Sequence, residues 1–453
     1  MKRLVVAISA LTLVVAACNG AASTTPPGDT TPATVAPASS ATAGPADSEG
    51  AGTGAPAHIE NLTIAKEGEA WNQTFESITQ EFAKTHPGST YEVQYVGTLD
   101  EAWQKVQLLG AQRGLPLMYN APALDVMWEL VEDGQAMDLE PELERLGVLD
   151  EITPAGLSAV RTFFDGQVLA LPLQLNMEGF WYNKQIFADN GLEPPATWED
   201  LLAAAETLQA AGIQPLATSG SSGWPVTRLI SGYLFRKLGP DAMARVANGE
   251  AKLTDPEYVE GAQAVADLGA KGYFGRGVTD VDYDAALDLF LQGKAGIYYM
   301  GSWVVGTFND PERNKIGEDT IGIFPVPTVA GGVGTLTQTP TNLGATTLWN
   351  PERYDEAAGE WLKAVAENFG DLALQQQGQI TGFVVHDPPA DLPPLTRVVT
   401  EEIAATTEAI TWFEQFFSQR GTDTSFKNVV LLVTGQMSAQ DFMQSVQDTV
   451  EVE

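Results

Sequence analysis

The sequence predicts an α/β body, and three observations carry that reading. Short β-type runs alternate with amphipathic helical stretches from about residue 58 onward, the pattern of strands covered by helices. Two strand-helix units follow one another at the start of that body, which implies a parallel sheet there. Several later helices carry their own start and stop signals.

In the first unit Leu62 to Ala65 opens as a strand. Trp71, Phe75, Ile78 and Phe82 then recur at helical spacing, and Tyr91, Val93 and Tyr95 alternate as a strand. The second unit runs through Leu99, Trp103 and Val106 into an expected strand at Leu124-Asp125-Val126-Met127. Thr197-Trp198-Glu199-Asp200 reads as a capping box ahead of Leu201, Leu202, Ala205 and Leu208, with Gly212 as the stop. Asp255-Pro256-Glu257 reads as a cap, a proline in the first turn and an acid beside it. Ser438 to Asp441 repeats the box before Phe442, Val446 and Val450. No internal repeat is evident, which argues against a solenoid or propeller.

The front end is of another kind. Lys2 and Arg3 precede the short apolar run Leu4 to Val15, and small residues Ala16 and Ala17 lead to Cys18. The run is too short to span a bilayer, which takes about 20 apolar residues, so residues 1–17 read as a secretory signal. Val15-Ala16-Ala17-Cys18 resembles the bacterial lipoprotein lipobox, which implies an acylated Cys18 as the first mature residue. Cys18 is the only cysteine in the chain, which leaves no disulfide framework. Asn19 to Ala57, 39 residues of mostly Ala, Thr, Ser, Pro and Gly, cannot bury enough apolar surface to order itself. As a flexible coil it spans roughly 35 Å, so residues 18–57 read as a tether behind the anchor.

Charge excludes several function classes. Fifty-nine acids face 24 bases, a net charge of −35, which argues against nucleic acid and against charge-driven binding to anionic lipid. No EF-hand-type loop is present, so the acidity reads as solubility in a salty or acidic exterior rather than as calcium binding. No G-x-S-x-G elbow, Walker A or HExxH motif occurs, and the three histidines, His58, His86 and His386, are scattered. No cofactor, metal or catalytic residue is expected. A secreted glycoside hydrolase stays open as the rival class, since it needs only two carboxylates at a set separation.

Four stretches, taken in order, carry a family resemblance. Asp165 to Leu173 (DGQVLALPL) is followed by Phe180 to Phe187 (FWYNKQIF), Gly191-Leu192 and Pro194 to Leu201 (PPATWEDL). Phe290 to Ala295 with Met300-Gly301-Ser302-Trp303, and Ile323 to Pro327 (IFPVP), complete the set. Together they resemble the extracellular solute-binding proteins of family 1, the carbohydrate-capturing components of ABC importers. The departure is at Pro122-Ala123-Leu124-Asp125, where the family's usual "GxxPD" is missing.

That resemblance implies a two-lobe periplasmic-binding-protein-like fold, α/β in class, with hinge strands and a ligand cleft between lobes. Residues 58–173 plus 338–383 would form lobe 1, and 174–337 plus 384–453 lobe 2. It further implies an extracytoplasmic monomer that docks on permease subunits in the membrane and is held there by Cys18. A carbohydrate is the implied ligand, with a sugar phosphate or other polar metabolite as the alternative.

Sugars offer apolar C–H faces and many hydroxyls, so their sites need aromatic platforms beside Asp, Glu, Asn and Gln. By position in the family, Trp303 in the Met-Gly-Ser-Trp stretch is the foremost platform. Trp224, after the Gly/Ser loop Ser219 to Gly223, is a cleft-edge aromatic, and Trp128 with Asp125 would end the Leu124 to Met127 strand. The resemblance puts the two crossings between lobes near Leu173-Gln174 and near Thr337-Thr341. Asn176 and Glu178 follow the first and share a strand face, whereas Trp181 on the other parity belongs to the core. Glu69 and Trp71 sit at the first strand-to-helix turn, Asn342 near the second crossing and Trp412 in the C-terminal helical region. Arg228 is the one base expected near the cleft, suited to a sugar acid or a hydroxyl fork, although an arginine in such a place is more often a surface salt-bridge partner. Trp198 belongs to its helix start and reads as structural.

Overall fold

The computed structural model describes residues 54–121, 124–344, 346–410 and 412–450. The expected signal, Cys18 and the tether as far as residue 53 lie outside these residues. Ten strands are described: β1 (His58–Thr63), β2 (Thr90–Tyr95), β3 (Met118–Asn120), β4 (Gln174–Asn183), β5 (Gln214–Ala217), β6 (Ala295–Gly301), β7 (Ile321–Phe324), β8 (Gln338–Gly344), β9 (Thr347–Trp349) and β10 (Glu408–Ile410). They form two sheets within a two-lobe α/β fold.

The first sheet runs β2-β1-β3-β9. β1 is parallel to β2 and β3, as two successive strand-helix units dictate, and β9 closes the edge antiparallel to β3. The helix Ala70–Phe82 turns Phe75, Ile78 and Phe82 into the core beneath it, the stripe that its spacing predicts. Phe75 lies 5.4 Å from Trp361, which the helix Glu356–Gln377 brings in from the far end of the sequence.

One expected strand is a helix. Leu124–Glu132 is helical, and the strand of this unit is the three-residue β3 just upstream. Met127 and Leu130 are both buried, three residues apart, so the run answers to helical rather than alternating spacing. Trp128 and Asp125 therefore lie inside a helix, and neither ends a strand. Two smaller readings also shift: the first strand begins at His58, and the Asp255 carboxylate accepts from the Lys252 amide instead of capping its own helix. The Thr197–Asp200 box forms on both sides, and Ser438 accepts from the Asp441 amide.

The second sheet runs β10-β8-β4-β6-β5, with β7 also on β4. β4 serves two partners along its ten residues. Gln174 to Met177 pair with Gly344 to Thr341 of β8, while Glu178 to Tyr182 pair with β6. Both faces are covered, so side chains of either parity are buried. Phe180 stacks on Phe324 at 5.2 Å on one face, and Trp181 meets Phe308 edge-on at 4.9 Å on the other. The paired β4 and β8 have a third companion, because residues 379–382 run beside 172–175. The Leu175 amide donates to the Ile380 carbonyl at 3.1 Å, and the Gly382 amide to the Pro172 carbonyl at 2.8 Å.

Candidate functional site

β5 and β6 are adjacent and parallel, so their carboxyl ends open on the same edge of the sheet. In open α/β sheets that edge is where a crevice forms. After β5 the chain passes through Thr218 to Gly223 into the helix Trp224–Leu238. Gly223 holds φ +72°, and a Cβ there would stand 2.3 Å from the Phe426 carbonyl oxygen, so only glycine lets this turn seat the helix. After β6, Ser302–Val304 make a single turn.

These two turns present Trp224 and Trp303 to each other, with ring centres 6.0 Å apart and planes inclined at 53°. The Trp303 indole N–H donates to the Tyr283 hydroxyl at 3.0 Å, and Tyr283 in turn lies 6.3 Å from Trp224. Trp303 folds back over its own turn, since a Cβ on Gly301 would meet the indole at 1.9 Å. The Gly-Ser-Trp order is thus a packing requirement: the glycine leaves the space that the ring fills.

Arg228 stands one helical turn after Trp224, close enough for the two to touch. Its guanidinium carbon lies 4.5 Å from the Trp224 ring centre and 4.5 Å from that of Trp412, within range of cation–π attraction to both. Glu178 and Glu414 pair with the same guanidinium, Glu414 at 3.2 Å. The Tyr299 hydroxyl donates to the second Glu178 oxygen at 3.2 Å. All three charged groups are buried. Burial, outweighing the pull of Arg228, holds both carboxyls above the usual carboxylate range. Beside them the Ser302 hydroxyl donates to Asn176 Oδ1 at 3.2 Å and accepts from the Met177 amide at 3.2 Å. Asn342 lies opposite Asn176 across the β4–β8 pair.

Six of the expected residues therefore form one neighbourhood: Trp303, Trp224, Arg228, Glu178, Asn176 and Trp412. Two of them differ from expectation in detail. Trp412 sits in the turn between β10 and the helix Gln419–Val433, outside any helix. Arg228 is neither a surface residue nor free for a ligand acid, because two internal carboxylates already hold it. Trp71 and Trp128 belong to helices beside the first sheet and Glu69 stands at the N-cap of one of them, and no ring contact or hydrogen bond among the described residues joins the three to this group. Glu69 is exposed and accepts from the Lys66 amide at 3.3 Å, and Trp71 packs on the core with its indole N–H enclosed and without a partner.

Glu414, Tyr299, Tyr283 and Ser302 are the residues that sequence reasoning missed. Glu414 carried a usable signal: it is the lone acid in the aromatic run Ile410 to Phe417, where a buried carboxylate needs a cation. Tyr299 carried none, because alternation alone reads it as core.

The family model described as bacterial extracellular solute-binding protein matches residues 65–368. An uncharacterized ABC transporter extracellular-binding protein of Pyrococcus horikoshii is 28% identical over 278 residues, 56% of this chain and 58% of that one. A probable sugar-binding periplasmic protein of Rhizobium meliloti is 26% identical over 162 residues, covering 35% of this chain and 38% of its own length. The matched stretches thus span about two fifths to three fifths of these relatives. Among solved structures, a chitin oligosaccharide binding protein superposes with a TM-score of 0.69 at 23% identity, covering 88% of this chain and 99% of its own; that likeness concerns the fold.

Proposed function

The chain belongs to the bacterial extracellular solute-binding proteins, and from that premise we propose that it captures a saccharide for an ABC importer as a monomer and catalyses nothing. The carrying observation is the indole pair Trp224 and Trp303 set beside buried carboxylates and amides at the carboxyl ends of β5 and β6. An indole face suits the C–H face of a pyranose, and Asn176, Glu178 and Asn342 are of the right type to orient hydroxyls. Relatives named for sugar binding or ABC transport support the same reading. Closure of the lobes about β4, β8 and residues 379–382 would trap the ligand, which stabilises the closed state by its differential affinity.

A thermal-shift panel of mono- and oligosaccharides, with amino acids and peptides beside them, tests this. A saccharide at about a hundred times its Kd should add roughly 2.7 kcal/mol of stability, and small-angle scattering with that ligand should show a smaller radius of gyration. A panel in which amino acids or peptides shift the transition and no sugar does would overturn the reading. Release of reducing ends from a bound oligosaccharide would favour the hydrolase instead.

Anchoring through Cys18 is part of the same proposal. Acyl chains would supply the membrane affinity, since a body with 59 acids is repelled by anionic lipid. Cys18→Ser should move the protein from the membrane fraction to the soluble exterior. A variant that fractionates and is processed like the parent would rule the anchor out.

A further inference from the structure

We propose that this site selects saccharides by charge, accepting neutral or amine-bearing sugars and rejecting uronates, sugar phosphates and sulfated sugars. The inference rests on the saccharide-binding reading above and deepens it.

The argument is a balance of named groups around the indole pair. Arg228, the base that touches Trp224 and Trp412, is shared between Glu178 and Glu414. On the other side of the pair, Tyr283 binds the Trp303 indole, and Asp284 follows it in the chain. Arg313 pairs there with Asp284 at 2.6 Å and with Asp288 at 3.0 Å. The same device appears on both flanks, one guanidinium held by two carboxylates. Arg236 lies two turns further along the helix of Arg228, at about 12 Å by helical rise. Its guanidinium donates to the Val326, Thr335 and Gln338 carbonyls. Counting it, three guanidiniums stand against four carboxylates. Arg228 and Arg313 are each held by two of them, while Arg236, two turns away, donates to carbonyls and keeps one enclosed nitrogen without a partner among the described residues.

An anionic ligand group placed against the indole pair meets Arg228 already held by two buried carboxylates, a cluster with more acidic than basic groups. Within the buried cluster of Glu178, Arg228 and Glu414 the repulsion is weakly screened and unpaired, which is how sites exclude the wrong partner. The more exposed Asp284 and Asp288 add less. Hydroxyls and ammonium groups are donors, and the carboxylate oxygens that are not fully used accept from them. A uronate should therefore bind at least about tenfold more weakly than its neutral parent, while an amine substitution costs nothing or tightens binding.

A glycan array carrying neutral, amine-bearing, uronate, sialylated, sulfated and phosphorylated saccharides, probed with the full chain, tests this directly. Every retained glycan should be neutral or amine-bearing. Retention of acidic glycans as well as their neutral parents would overturn charge selection and leave saccharide binding standing; an array that retains nothing would overturn both. Calorimetry then compares the strongest neutral hit with its 6-carboxylate counterpart. In Glu414→Gln, or in Glu178→Gln should the first variant fold poorly, the gap between the two ligands should narrow several-fold. An unchanged gap in a folded variant would show that these carboxylates do not set the discrimination.

Discussion

Replacing Arg228 with methionine should lower folding stability by about 3–5 kcal/mol at neutral pH, the usual cost of stranding a buried charge by removing its partner. Two carboxylates lose their counter-ion at once, and both are buried. Urea unfolding midpoints of parent and variant measure the loss. A loss below about 1 kcal/mol, the size typical of exposed pairs, would show that the three charges are not closed off from water as the geometry has them. The triple change Arg228→Met, Glu178→Met, Glu414→Met should recover most of the stability, since apolar groups of similar size often replace a buried ion cluster without penalty. It should not recover binding, because the contact that fixes Trp224 and Trp412 in one arrangement is gone.

The sign of the pH dependence follows from the raised carboxyls. Glu178 and Glu414 hold protons more tightly folded than unfolded. The stability each contributes is thus fully present below the usual carboxylate pKa of about 4.3 and is lost as pH rises through the folded value. In Arg228→Met the first cause, burial, remains while the opposing guanidinium is removed, so both shift further upward. The deficit of the variant relative to the parent should therefore shrink as pH falls from 7.5 toward 5. Comparing the two proteins at each pH cancels the general relief of repulsion that a net charge of −35 brings on acidification. A deficit that stays constant over that range would place its origin in lost packing instead.

The sequence was most readable where the determinants are local. Phe75, Ile78 and Phe82 announce their helix because their spacing and their burial are one fact. Thr197 and Asp200 announce another because both halves of the cap lie within four residues. The parity of β4 separates Glu178 from Trp181 correctly, since a strand must alternate. Leu124 to Met127 misled because four apolar-rich residues are too few to tell the two periods apart, while β3, three residues of buried strand, offers no alternation to read. The candidate site was half legible for a related reason. Trp224 and Trp303 are marked by turns next to them in sequence, but Glu414 reaches Arg228 across 186 residues and Glu178 across 50. Nothing local says that three charges at such separations share one enclosure, so a surface salt bridge was the readier expectation for Arg228 than a buried pairing with two carboxylates.

Trp303→Ala should weaken saccharide binding by about ten- to a hundredfold while leaving the protein folded. Stacking a pyranose face on the indole removes apolar area from both partners. At about 25 cal/mol per Å², burial of on the order of 100 Å² supplies roughly 2.5 kcal/mol, or nearly two decades of affinity. The fold loses much less. Trp303 is half-buried, and its one polar contact is the Tyr283 hydroxyl, a hydrogen bond worth about 1 kcal/mol. Trp361 supplies the contrast, being wholly buried with its indole donating to Thr79 at 2.8 Å. Truncating that residue should cost roughly 3–5 kcal/mol of stability, as for any large core side chain. Calorimetric affinity and a melting curve on both variants therefore separate the two roles. Were Trp303→Ala to melt like Trp361→Ala and still bind sugar with parental affinity, Trp303 would be a core residue, and the platform would have to be sought on Trp224 and Trp412. Tyr283→Phe refines the test, because it removes only the bond that orients the Trp303 ring. Its affinity loss should be a few-fold, with the ring still present but less firmly aimed.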